Sequence, residues 1–452
     1  MNYQEVLDRI PEYSRFLAVD ELDESTEKLA EKYPDCVSVK VIGYSRKGAP
    51  IRCLRIGTGS RTVLAFACPH PNEPIGAMTL EYFSGYLAEH KEFLERMDCT
   101  WYLIKCVDPD GTRLNEGWFS GPFTLRNYAE HYYRPAMTEQ VEWTFPVDYK
   151  NLHFHKPIPE TQALMKLIGE IRPDFLYSLH NAGFGGVFWY ISKDKPEIYR
   201  RVTAVSEKYG IPLALGEPEM PCCVSLAPAV YRMLSVKDMY DYYEANGVEN
   251  PGDVVGSGAS SDEYANRFGD TLSLVCELPY FYNELINDES PSDMSKKDAM
   301  LHNCRRTEDS CAFLKKQMER IRHLIPESDP FRLMIENTIR MFMTENEVRI
   351  QAILQNPKLG EPAKKSEVFD NLYGMTSVWM NFVGLLPHMI SELQKNAKAP
   401  LPEILEEVRQ EGLKKLDEME AYITDHVQYQ VIPIRKLVAV QLECAFIALE
   451  NM

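Results

Sequence analysis

The stretch Cys68-Pro69-His70-Pro71-Asn72-Glu73-Pro74-Ile75-Gly76-Ala77 decides the fold of this chain. It follows an apolar run, Val63 to Cys68, with the length and composition of a buried strand, and it precedes a segment of helical period from Ile75 to about His90. Pro74 is placed to open that helix, so the stretch reads as a loop at a strand end. His70 and Glu73 lie three residues apart in it, which lets an imidazole and a carboxylate converge on one point. That is ligand spacing for a metal, although His-x-x-Glu also occurs where a loop histidine simply pairs with a nearby acid.

The rest of the composition narrows the class. A chain of 452 residues with 45% hydrophobic content has room for two or three packed domains. A net charge of -18 argues against a nucleic acid or an anionic membrane as partner, because both repel such a surface. A small molecule or peptide is the expected ligand. The start, Met1 to Asp8, has no signal-peptide pattern, and no apolar run approaches the roughly 20 residues that span a bilayer. A cytoplasmic protein is expected. Eleven scattered cysteines with no metal-type spacing read as reduced thiols.

Residues to about Tyr33 read as acidic surface helix. Val37–Gly43 and Ile51–Gly57 are strand-like around an Arg46-Lys47-Gly48-Ala49-Pro50 turn, which makes a hairpin. Trp101–Val107, Phe175–His180 and Leu272–Glu277 are further strands, and their alternation with helical segments predicts an α/β fold with a mixed sheet flanked by helices. Asn287–Asp293 reads as a polar linker. Beyond it, segments at about 300–323, 330–356, 366–395, 401–426 and 432–450 have helical spacing, so the expected organisation is an α/β domain over 1–290 and an all-helical C-terminal domain over 298–452.

Three strand ends now offer His70-x-x-Glu73, His180 and Glu277, and ligands of α/β sheets bind at the carboxyl ends of strands. Two histidines and one glutamate leave a fourth zinc position open, which is the catalytic pattern. At this point the sequence resembles the carboxypeptidase A family of zinc metallocarboxypeptidases over about residues 22–281. The resemblance rests on Tyr33-Pro34, the Ile42–Ile51 hairpin, His70-x-x-Glu73, Asp108-Pro109-Asp110-Gly111, Pro159–Leu164, Ser178-Leu179-His180 and Glu277-Leu278. It implies Zn2+ held by His70, Glu73 and His180, with Glu277 as the base that takes a proton from the attacking water. It also implies that Asp148 orients His70 through its free ring nitrogen.

The family clamps the substrate carboxylate with an asparagine-arginine pair, and here the matching text is Lys150-Asn151, a point charge without the planar fork of arginine. The oxyanion arginine is preferred as Arg113, next to the Asp-Pro-Asp-Gly turn, while Arg126 or Arg134 fits better by distance to Lys150. Asp262 falls where the family's side-chain pocket ends and favours basic residues there; the alternative is a capping aspartate in a Ser-Ser-Asp turn. The aromatic segment from Trp118 to Phe145 either walls the cleft or forms its own small core. His153 and His155 share one face of an extended segment and together line the cleft or together meet solvent. The expected activity is zinc-dependent amide hydrolysis that releases a C-terminal amino acid from a peptide. The alternatives are an amidase or deacylase acting on a cell-wall peptide or an N-acyl amino acid, and a catalytically silent binding protein. A homo-oligomer is allowed.

Overall fold

The computed structural model describes residues 3–452. Up to residue 282 the strands are, in chain order, β1 (Val37–Tyr44), β2 (Pro50–Ile56), β3 (Arg61–Ala67), β4 (Cys99–Ile104), β5 (Val147–Tyr149), β6 (Leu152–Phe154), β7 (Phe175–Phe184), β8 (Phe188–Ile191), β9 (Ser225–Ala227), β10 (Val230–Arg232) and β11 (Leu272–Tyr282). All but β5 and β6 join one mixed sheet of order β1-β2-β4-β3-β7-β11-β8-β10-β9, with the two-residue strand Gln430–Val431 added on β11. Its centre, β4-β3-β7-β11, is parallel. Strands buried on both faces need continuous apolar runs, and Val63–Ala67 and Phe175–Leu179 supply them. The predicted hairpin is present, with Tyr44 opposite Pro50 and Gly43 opposite Ile51.

Two strands run further than their composition suggests. His180 and Glu277 are not at strand ends: β7 continues through Asn181–Phe184 and β11 through Leu278–Tyr282, paired as far as Phe281 and Phe184. What ends is the neighbour. The β3 pairing with β7 stops at Ala67 opposite Leu179, and the β8 pairing with β11 stops at Phe188 opposite Glu277. The site therefore opens where the flanking strands give out while β7 and β11 carry on, and Pro279 falls just past the last β8 pairing.

The helices after residue 295 are close to expectation: Lys296–Ile321, Pro330–Gln355, Met375–Asn396, Glu403–Thr424 and Ile434–Glu450, with a π-helical turn at Asp370–Gly374 interrupting the third expected segment. They do not pack as a unit of their own. One hydrophobic cluster includes Val63, Phe175 and Leu274 of the sheet together with Trp379, Leu416 and Phe446 of the helices. The expected linker is also structured, since Pro291–Ser295 pairs with Pro362–Lys364, and Asp288 and Glu289 form ion pairs with Lys365 and Lys364. Its polarity reflects a solvated ladder rather than a loose tether.

The Met375–Asn396 helix packs closely on the Leu125–Glu130 helix, and a Cβ on Gly384 would lie 1.9 Å from the Ala129 carbonyl oxygen. Gly384→Ala is expected to cost about 1–3 kcal/mol by overpacking. Because the two parts share a core, its urea midpoint should fall in a single transition seen alike by fluorescence and circular dichroism.

Candidate active site

The loop after β3 is held from several sides. Cys68 turns the chain with a φ of 54°, a left-handed conformation that a non-glycine residue keeps only when its surroundings enforce it. The Glu73 amide donates to the His70 carbonyl, the Asn72 side-chain amide donates to the Tyr128 hydroxyl, and the Tyr280 hydroxyl donates to the Asn72 carbonyl. The Ile75 amide donates to the Asn181 side chain, which ties the start of the Ile75–Glu89 helix to β7. Gly76 permits this approach, because a Cβ there would sit 2.5 Å from that of Leu179.

These supports bring His70, Glu73 and His180 into one buried group whose ligand atoms lie within 4.8 Å of one another. His70 Nδ1 is 3.1 Å from Glu73 Oε1 and 3.1 Å from His180 Nδ1, and His180 Nδ1 is 3.0 Å from Glu73 Oε2. Ligands 2.0–2.1 Å from a tetrahedral zinc stand about 3.3 Å apart, so the donor set and its spacing fit that ion. The electrostatics also favour a cation. Burial raises the Glu73 carboxyl, but the two histidines outweigh it and hold it well below its ordinary range. Burial and the Arg134 charge push His70 down to about 4. Burial disfavours the charged His180 ring as well, yet Glu142, Glu73 and Glu277 reverse this and lift it to about 10.

Glu277 lies directly opposite His180 in the β7–β11 register, with Oε1 3.9 Å from His180 Nδ1. Burial, reinforced by Glu73 and Glu219 and opposed by His180, lifts its carboxyl to about 8. Of the three candidate arginines, Arg134 is the one at this group: Nη1 is 3.3 Å from Glu73 Oε1 and Nη2 is 2.9 Å from His70 Nε2. Arg113 instead pairs with Asp20, and Arg126 with Glu130 and Asp417, so neither guanidinium faces the ligands. Proximity in sequence to the Asp-Pro-Asp-Gly turn misled because the Pro109–Asn115 helix points Arg113 outward.

Asp148 is not beside His70. It stands on the exposed β5–β6 hairpin and accepts from His153 and His155, which settles these two histidines on the solvent side. Lys150 and Asn151 form the turn of the same hairpin, where the Lys150 ammonium binds Asp241 and Glu244. The carboxylate next to a metal-ligating ring is Glu142, which sequence reasoning missed. Its Oε1 accepts from the Ser178 hydroxyl at 2.6 Å and the Ser261 hydroxyl at 2.9 Å, and its Oε2 from the Ser261 amide at 2.8 Å. Ser178 Oγ is in turn 2.8 Å from His180 Nε2. Ser178-Leu179-His180 carried the signal, since alternation on a strand puts residues 178 and 180 on one face. Asp262 is lifted to about 6 by burial and then by Glu142, and it accepts from Asn266.

The aromatic segment serves the site rather than a core of its own. Trp118 and Tyr128 stack edge-on or tilted against Tyr280 of β11, and the segment then delivers Arg134 and Glu142. The C-terminal helices reach the same place. Gln441 accepts from Thr79 Oγ1 and donates to the His180 carbonyl. Asp370, at the π-helical turn, accepts from the Glu217 amide and so holds the loop that carries Glu219, whose carboxylate binds the Tyr190 hydroxyl.

Glu142→Gln and Ser178→Ala are each expected to weaken zinc binding by about 10- to 100-fold with the fold intact, as loss of an outer partner does; competition with a chromophoric chelator measures this. Burial pushes the Asp370 carboxyl up to about 7. The folded state keeps a proton that the unfolded chain has already released, so this group makes the protein lose stability as pH rises from about 4 to 7. Asp370→Asn should show a smaller fall in Tm across that window than the unsubstituted protein.

Among solved structures, the chain is similar to carboxypeptidase A from Helicoverpa armigera at 16% identity, covering 60% of this chain and 66% of that one, with a TM-score of 0.40. It is also similar to bovine thrombin-activatable fibrinolysis inhibitor, solved with tick carboxypeptidase inhibitor, at 14% identity, 58% and 86% coverage and a TM-score of 0.39. A metallo-carboxypeptidase from Burkholderia cenocepacia gives 15% identity, 61% and 63% coverage and a TM-score of 0.36. The chain thus spans just under two thirds of the insect protein's length. Residues 22–218 match the zinc carboxypeptidase family model, and the match takes in His70, Glu73 and His180.

Proposed function

We propose that this protein is a zinc-dependent amide hydrolase that releases a C-terminal amino acid from a peptide. The observation that carries the reading is the placement of Glu277, a carboxylate whose side chain is 12% exposed, beside a His-Glu-His ligand set and in register with His180. Zinc bound there supplies Lewis-acid polarisation of the scissile carbonyl and lowers the pKa of water towards about 7. Glu277 takes the proton of the attacking water and returns it to the leaving nitrogen.

Arg134 is assigned to the substrate. Arginine only donates, so its contact with His70 Nε2 requires that nitrogen to accept and the ring proton to sit on Nδ1. The ligand atoms converge through Nδ1, and a lone pair offered there moves the proton to Nε2, which cannot pair with a guanidinium. A loaded site would therefore release the Arg134 Nη2 contact with His70 and leave that edge of the guanidinium to meet an oxyanion or a carboxylate, with Nη1 still beside Glu73.

A second reading, an amidase or deacylase acting on a cell-wall peptide or an N-acyl amino acid, is favoured by the engagement of Lys150 with Asp241 and Glu244 at the hairpin turn. Eleven free cysteines support a reducing, cytoplasmic setting. Among the described residues no helix is long and apolar enough to cross a membrane.

Glu277→Gln should keep zinc and fold while turnover drops by several orders of magnitude, because an amide cannot take the proton. His180→Ala should lose zinc and turnover together. A panel of peptides with free and amidated C-termini and of N-acyl amino acids separates the two readings, and a zinc-loaded protein inert to the whole panel overturns both.

A further inference from the structure

The β5–β6 hairpin carries a second group of metal-ligand type, far more exposed than the first. Asp148 Oδ1 lies 2.8 Å from His153 Nδ1 and 2.9 Å from His155 Nε2, and the three ligand atoms fall within 4.8 Å of one another. We propose that Asp148, His153 and His155 bind a second divalent transition metal ion, of the zinc class, separate from the His70-Glu73-His180 site.

The convergence follows from strand geometry. Asp148 and His153 are direct partners in the antiparallel register, and His155 follows two positions on, so alternation returns its ring to the same face. The hairpin is anchored below by Val147, Leu152 and Phe154, which are buried in the second hydrophobic cluster, so the outward face is set by the core and not by the ligands themselves. Among the described residues no lysine or arginine pairs with Asp148; its ionic partners are the two rings. Both rings turn a nitrogen toward the same carboxylate oxygen, and their other nitrogens belong to side chains 61% and 58% exposed. Each ring can thus carry its proton on the solvent side and leave the inner nitrogen as a lone pair. The spacing of 2.8–2.9 Å opens to the about 3.3 Å edge of a tetrahedral site by small side-chain rotations.

The donor set selects the ion. Two imidazoles and one carboxylate suit Zn2+, Co2+, Ni2+ or Cu2+, whereas Ca2+ and Mg2+ require oxygen ligands. Open water positions and exposure make it the weaker of the two sites. Its occupant joins β5 to the segment leaving β6 and stabilises the hairpin by mass action.

Equilibrium dialysis of the full chain against Zn2+, and against Co2+ with visible absorption, tests this. The expected result is two ions per chain, with the weaker equivalent lost in His153→Ala and His155→Ala and weakened at least tenfold in Asp148→Asn, while the tighter one is lost only in His180→Ala. The Tm of the unsubstituted protein should rise further with Zn2+ than that of His153→Ala. A single equivalent in the unsubstituted protein, or two equivalents retained in both His153→Ala and His155→Ala, overturns the proposal.

Discussion

Glu73 is a carboxylate only 2% exposed, and the structure around it is arranged to compensate that charge. An isolated buried charge costs several kcal/mol, and removing the partners of a buried pair costs about 3–5 kcal/mol. Glu73 therefore constrains everything it touches: His70 from its own loop, His180 from β7, Arg134 from the aromatic segment and the Asn181 backbone amide. With Glu142 and Glu277 close by, three carboxyl groups meet at the centre, and among the described residues the Arg134 guanidinium and the His180 ring face them. A bound dication completes that balance better than a protonated histidine, because it can sit between the ligand atoms instead of occupying one of them.

This constraint explains why so much of the chain is committed to one point. The metal loop cannot hold its left-handed turn at Cys68 alone; Tyr128 and Tyr280 brace it through Asn72. The ligand strand β7 is braced from behind by Gln441, whose own helix begins more than 250 residues later. The loop bearing Glu219 is held by Asp370 at a π-helical turn, a local irregularity of the kind that often accompanies function. The C-terminal helices are thus part of the scaffold of the site. The stretch 22–218 that matches the zinc carboxypeptidase family model contains neither β11 with Tyr280 and Glu277 nor Asp370 and Gln441.

The sequence by itself determined the elements and the ligand set. Continuous apolar runs made the central strands legible, since a strand buried on both faces cannot be polar, and the hairpin at residues 46–50 announced itself through its turn residues. His70 and Glu73 were legible because a loop three residues long fixes their separation, and His180 and Glu277 because each stands out as a charged or polar residue in an apolar run. Tertiary structure decided what depends on distant partners. Arg134 could not be told from Arg113 and Arg126, because all three are arginines of one stretch and only the tertiary structure brings one of them against Glu73 and His70. Asp148 could not be told from Glu142, because the hairpin at 147–154 faces solvent while Glu142 is drawn under β7 by Ser178 and Ser261. The polar text at 287–293 gave no sign of the strand pairing that joins it to residues 362–364. The unity of sheet and helices was equally hidden, because a shared core is made by apolar faces that look the same whether they meet each other or a neighbour of their own.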